Sequence, residues 1–220
     1  SKFIEMHLTD YKDKEFNDFE YIDKWIINKY INMEKNYINY LENYEVGLAL
    51  NILEKFFWNF CDNYIEIVKH RLYRPEEFGE INRYSGQKTI YLLLYKLLQN
   101  FSIFFPYITE EIYQELYKDQ KSIHLTKIEA LDYNYEKEEK MGDILINIIS
   151  EIRGEKTTKN VTLKTPVKLL DIELSKDLNE ALNSMIKDFK ATLFIDEIKT
   201  KEIKESYKIN NIELDIENKK

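Results

Sequence analysis

The stretch YEVGLALNILEKFFWNFCDNYIEIVKHRL, residues 44–72, decides the fold. Its apolar residues Leu48 or Ala49, Leu53, Phe56, Phe57, Phe60, Tyr64, Ile67 and Val68 recur at steps of three and four. That period is one face of an α-helix, so the spacing predicts one long helix over 44–72. Phe56-Phe57-Trp58 puts three large rings in succession, which requires packing neighbours on both sides of the helix.

Upstream, residues 18–42 carry the same period in Ile22, Trp25, Ile26, Lys29, Tyr30, Met33, Tyr37 and Leu41, with Asp18 as the N-cap. An acidic linker with Phe16 and Phe19 precedes it, and Phe3, Ile4, Met6 and Leu8 read as the tail of a helix. Downstream, Pro75 and Gly79 mark a charged loop over 74–85. A third helix over 87–104 is apolar nearly all round, which predicts the most buried helix of a bundle. Pro106 interrupts it, and Thr109 followed by Glu110 and Glu111 predicts an N-cap with acidic residues in the first turn. A polar connection leads to a helix over 140–153, whose face carries Ile144, Leu145, Ile148, Ile149 and Ile152. Short strands are predicted over 161–163 and 167–174, a helix over 175–190, and strands over 193–203 and 207–216. The expected fold class is mainly α: a helical bundle over 1–120, a connection over 121–139, and a small α+β unit over 140–220.

Composition agrees with long helices. The chain has 220 residues, and only 5 Gly and 3 Pro leave room for few tight turns. Seventeen Tyr, 12 Phe and 2 Trp argue against disorder. Cys61 stands alone, so no internal disulfide forms, and a reducing, cytoplasmic setting is expected. No apolar run reaches the roughly 18 residues of a membrane span. Ser1-Lys2-Phe3 is no signal peptide and lacks an initiator Met, and reads as a processed end or a boundary within a longer protein.

Chemistry is sparse. There is no phosphate-binding Gly-rich loop and no G-x-S-x-G nucleophile turn. His7, His70 and His124 lie far apart and have no ligand spacing with Cys61, so no metal site is expected. Cys61, inside an apolar stripe, reads as a small buried hydrophobe. The net charge of −8 opposes a dedicated nucleic-acid binder, so any RNA contact must rest on local basic patches. Two exist: Lys69-His70-Arg71 with Arg74, and Arg153, Lys156, Lys159, Lys164 and Lys168. Such groups suit phosphates, and ordinary solvated helix ends carry similar clusters.

Phe57-Trp58-Asn59-Phe60-Cys61-Asp62-Asn63-Tyr64-Ile65-Glu66, followed by Lys69 and Arg71-Leu72, resembles the anticodon-binding region of the valyl-tRNA synthetase family, where a helix reads W-x-x-F-C-D-x-Y-L-E and then K-x-R-L. Asp23-Lys24-Trp25-Ile26 resembles the family's D-R/K-W-I, and Tyr44 to Ala49 its Y-x-x-x-x-A turn. Pro106-Tyr107-Ile108-Thr109-Glu110-Glu111 resembles its P-F-I-T-E-E, which the isoleucine and leucine relatives share. Ser1-Lys2-Phe3 resembles the end of N-A-S/A-R/K-F, and Ile152-Arg153 through Pro166 a stretch of the archaeal-type branch. Two positions depart from the pattern: Phe57 stands where the family has Trp, and Asn63 where it has an aromatic. The catalytic signatures H-I-G-H and K-M-S-K-S are missing from the sequence.

The resemblance implies an anticodon stem-loop holder belonging to a longer valine–tRNA ligase. Its upstream domains would charge tRNA-Val using ATP with Mg and would edit wrong products; no cofactor is implied for this segment. Matched position by position, the family's anticodon contacts fall on Lys2, Phe3 and Ile65, with Asp62 and Tyr64 as neighbours. Phosphate contacts are expected from Lys69, Arg71, Arg153, Lys156 and Lys159. Structural roles compete for each: Phe3 as a core plug, Ile65 as a stripe residue, Tyr64 as core. The alternatives are the same module from an isoleucyl- or leucyl-tRNA synthetase, or a non-catalytic helical interaction module.

Overall fold

The computed structural model describes residues 2–16, 18–118, 121–204 and 206–216, with only the backbone at 2. Its helices are α1 (Lys2–Leu8), α2 (Tyr21–Glu42), α3 (Val46–Asn59), α4 (Glu66–Tyr73), α5 (Pro75–Phe78), α6 (Glu80–Phe101), α7 (Pro106–Tyr117), α8 (Glu136–Thr158), α9 (Lys176–Ser184) and α10 (Ile186–Leu193). The strands are β1 (Val167–Leu174), β2 (Ile195–Glu202) and β3 (Tyr207–Leu214). Among the described residues, no helix is long and apolar enough to cross a membrane.

The predicted helix over 44–72 is a continuous rod with a changed middle. α3 and α4 are joined by a π-helical turn, Phe60–Ile65, so the Phe-Cys-Asp stretch sits in the wider turn. π turns inside α-helices are uncommon and gather at functional sites. The rod buries Ala49, Leu53, Phe56, Phe60, Tyr64, Ile67, Val68 and Leu72 against α2 and α6. α8 covers the other side of α2: Trp25 Nε1 donates to Asp143 Oδ1 at 2.8 Å, and the Tyr135 amide donates to Asn28 Oδ1 at 2.8 Å. Gly142 permits this approach, since a Cβ there would lie 2.7 Å from Trp25 Cγ.

α6 is the buried helix that its composition predicted: none of residues 82–101 is exposed. It starts at Glu80, however, inside the predicted loop, after Gly79 turns the chain at φ 97°. The early turns lack an apolar stripe because their partner is polar. Gly86 packs on the Arg71 guanidinium, where a Cβ would sit 3.4 Å from its Nε, and Ser85 donates to Asp23, the partner of Arg71. Ser85 also corrects the cap of α2: the N-cap is Glu20, not Asp18, and the Glu20 amide donates to Ser85 Oγ at 2.9 Å. Nor does Thr109 cap α7. Pro106 opens that helix at its first position, where no amide hydrogen is needed, and Thr109 Oγ1 donates back to the Phe105 carbonyl at 2.8 Å.

The α+β unit is a three-stranded sheet of order β2-β1-β3. β1 pairs parallel with β2 through the α9–α10 crossover and antiparallel with β3. Two expectations differ. Residues 161–163 form no strand: the chain reverses after Asn160 at φ 53°, Leu163 and Lys164 form a turn closed by the Thr165 amide donating to the Thr162 carbonyl at 3.0 Å, and the exposed Thr162 and Leu163 have no sheet to join. The helix over 175–190 breaks at Met185 into α9 and α10. One hydrophobic core runs from Ile22 and Tyr64 in the bundle to Leu170 and Phe189 in the α+β unit, with α10 packed on α4.

Candidate nucleic-acid interface

A cavity of about 710 Å³ opens where α1, the π turn, α4 and the α+β unit meet. The π turn and α4 give one wall. Cys61, Ile65, Lys69 and Tyr73 recur at intervals of four, which places them on one helical face; Glu66 and His70 flank them. α1 gives the rim with Phe3 and Ile4. Phe3 is fixed by its neighbours: its ring centroid lies 4.6 Å from that of His7, which lies 4.4 Å from that of Tyr73. Gln87 Nε2 donates to the His7 carbonyl at 2.7 Å and ties α1 to α6. Lys164 and Phe194, from the α+β unit, face the same space.

The lining is mostly apolar and includes the polar groups of Glu66, Lys69, His70 and Lys164, which suits a planar aromatic ligand bearing hydrogen-bonding groups. Lys69 Nζ sits 2.5 Å from Glu66 Oε2. Burial pushes the His70 pKa down, and the nearby Arg74 and Lys69 push the same way, so the ring is neutral at neutral pH. Arg74 Nη2 lies 3.1 Å from His70 Nδ1; a guanidinium can only donate, so Nδ1 accepts and Nε2 carries the proton. Burial, helped by Asp62, raises the Cys61 pKa and keeps a neutral thiol, unsuited to nucleophilic work.

The expected site residues divide sharply. Phe3, Ile65 and Lys69 come together at this cavity. Lys2 opens α1, and its side chain lies outside the described residues. Asp62 is exposed on the neighbouring face of the π turn. Tyr64 is core: it is fully buried, and its hydroxyl donates to Asp23 Oδ1 at 2.7 Å.

Two expected phosphate contacts are corrected. Arg71 is 0% exposed and pairs with Asp23, which also accepts from Ser85. Burial alone would lower the Arg71 pKa, but Asp188 and Asp23 outweigh it and raise it. The basic run hid this because the helical period turns Lys69 and Arg71 to different faces. Lys156 is also 0% exposed; its ammonium donates to the Leu193 carbonyl at 2.7 Å and the Leu163 carbonyl at 3.1 Å. Arg153 is half-buried, with burial lowering its pKa against the pull of the cavity residue Glu66. Lys159 is exposed and pairs with Glu155 at 3.1 Å.

Sequence reading missed His70, Tyr73, Lys164 and Phe194 as lining residues. The four-residue repeat from Cys61 carries a signal for Tyr73. Lys164 stands in the second basic patch, but nothing local places it at this cavity, and nothing local marks Phe194; both reach the cavity through tertiary packing. Among the described residues, no group of three or more His, Cys, Asp or Glu is placed to hold a metal ion.

A helical bundle with an aromatic and cationic cavity beside its long rod can hold a nucleic-acid loop, and sequence comparison gives the class. Residues 23–174 match the model of the anticodon-binding domain of tRNA ligases, and the chain belongs to that family. Its relatives narrow the class. The chain is 39% identical over 203 residues to the valine–tRNA ligase of Rickettsia felis, covering 84% of this chain and 23% of that protein. It is 41% identical over 184 residues to that of Rickettsia conorii, covering 81% and 22%. It is 37% identical over 213 residues to that of Rickettsia prowazekii, covering 87% and 26%. The chain thus spans about a quarter of the length of these relatives.

Proposed function

We propose that this chain holds the anticodon loop of tRNA-Val for a valine–tRNA ligase. The observation that carries the reading is the cavity where Phe3, Ile65 and Lys69 meet. A splayed loop needs planar or apolar faces for unstacked bases and cations for the phosphates beside them. Phe3 supplies a stacking face, Ile65 an apolar floor, and Lys69 a charge that can exchange its partner Glu66 for a phosphate. Holding the loop here would place the acceptor end of the tRNA in a distant active site. Asp62, Arg153 and Lys159 lie outside this cavity lining and remain as outer contacts of the proposal.

Charging and editing would belong to upstream domains of a longer polypeptide in the cytoplasm, and ATP with Mg would be bound there. This chain's residues do not fit that cofactor: the sequence has no phosphate-binding Gly-rich loop, and among the described residues no group of three or more His, Cys, Asp or Glu is placed to hold a metal ion. No catalytic step is derived through it. Editing is needed in such an enzyme because one missing or isosteric group changes binding too little for adequate discrimination.

The test is Phe3→Ala and Lys69→Ala in the full-length protein, read as affinity for a tRNA-Val transcript. Loss of a base stack should weaken binding about tenfold. Loss of one phosphate contact should reduce the slope of log affinity against log salt by about 0.7. Unchanged affinity and slope in both variants would refute the reading.

A further inference from the structure

The cavity has a second wall whose construction is unusual. Phe194 adopts φ 57°, ψ 51° between α10 and β2. Left-handed backbone favours Gly or Asn, and a bulky residue there costs on the order of 1 kcal/mol. The strain has a geometric result: the ring turns from the α+β unit into the cavity, with its centroid 5.8 Å from that of His70.

The buried Lys156 fixes this wall. The two carbonyls it binds belong to Leu163 and Leu193, the residues directly before Lys164 and Phe194. One ammonium therefore clamps the two loops that present the wall, and it also sits 5.8 Å from the Phe194 ring centroid. Lys164 itself is exposed, with no carboxylate at ion-pairing distance among the described residues.

Behind the ring lies a second cavity of about 510 Å³, also lined by Phe194, and bordered by Arg74, Lys187 and Lys190. Lys187 and Lys190 donate to the main-chain carbonyls of Glu77 and Asp196, at 3.3 and 2.6 Å. Neither bond neutralises the ammonium charge. Glu77, paired with Arg74 at 2.9 Å, and Asp196 line this recess too, as Glu66 lines the first, so the aromatic ring stands between two recesses of mixed charge whose cations without a carboxylate partner among the described residues are Lys164, Lys187 and Lys190. Stacking platforms flanked by cations are how proteins follow a single-stranded nucleic acid.

We infer that the α+β unit supplies the second wall of the anticodon-loop site, with Phe194 stacking on an unpaired loop base, Lys164 meeting an adjoining phosphate, and Lys156 positioning both. The inference rests on the anticodon reading above and extends it to Phe194, which none of the sequence motifs includes.

The test measures affinity of the full-length protein for two tRNA-Val transcripts, one intact and one abasic at the three anticodon positions. Phe194→Gly removes the ring and suits the left-handed backbone, so the fold should persist, checked by an unchanged melting temperature. Phe194→Tyr keeps the ring. Phe194→Gly should bind intact tRNA about tenfold more weakly, Phe194→Tyr nearly as well as wild type, and the loss should vanish on the abasic tRNA. An equal loss on both tRNAs would make the ring merely structural and overturn the inference. If Phe3→Ala weakens binding while Phe194→Gly does not, the second wall fails and the anticodon reading stands. If neither variant changes affinity, both fail together.

Discussion

Gly142 shows how much one missing methyl decides. It lies in α8 against the indole of Trp25, which is 1% exposed and held by its bond to Asp143. Gly→Ala in an exposed helix gains about 1 kcal/mol. Here the added carbon meets a rigid ring with no room to retreat, and overpacking costs roughly 1–3 kcal/mol. Gly142→Ala should therefore lower the urea midpoint; a raised midpoint would mean that α2 and α8 do not approach this closely. The same scale separates what the sequence disclosed from what it hid. Phe3, Ile65 and Lys69 were legible from their motif, and they meet in space. Arg71 and Lys156 looked like surface cations because sequence shows charge and not burial. Their partners Asp23, for one, and the Leu193 carbonyl, for the other, come from remote segments, and the Leu163 carbonyl comes from the turn seven residues on.

Among elements, the long rod was legible by its apolar period, and its π turn was not. A π turn adds a residue to one turn, and apolar steps of four such as Phe56, Phe60 and Tyr64 read equally well as α-helical spacing. The first turns of α6 were illegible for another reason: they face a buried polar network, and periodicity detects only apolar faces. That network joins α2, α4, α6 and α10 through Asp23, Arg71, Ser85 and Asp188. Burial pushes the Asp188 pKa up to about 6, against the pull of Arg71, with Asp23 and Glu20 adding to the rise. The folded chain then keeps a proton that the unfolded chain loses near its ordinary value of 3.8. More protons bound when folded means that stability falls as pH rises from about 4 to about 6. Asp188→Asn removes that titration. The stability of wild type relative to Asp188→Asn should drop by roughly 2 kcal/mol between about pH 4 and pH 7, measured by urea unfolding. A pH-independent difference would place Asp188 in an environment unlike this one.

At the scale of the whole molecule, a helical bundle followed by a small α+β unit was expected from the sequence, and the chain has that architecture, with three strands where four were expected. Its core continues across the two parts, so the cavity can draw walls from both. A net charge of −8 leaves little general attraction for RNA, and recognition must come from the few groups gathered at this end. Binding should accordingly depend on what the loop bases are, more than on the presence of a phosphate backbone. The most direct measurement is the affinity of the full-length protein for tRNA-Val beside the same tRNA with its three anticodon bases exchanged for those of an isoleucine tRNA. The exchange should weaken binding about tenfold through lost hydrogen bonds to base edges, whereas Phe3→Ala should weaken binding of both tRNAs alike, because stacking is tolerant of base identity. Equal affinity for the two tRNAs would contradict the assignment of this cavity to the anticodon.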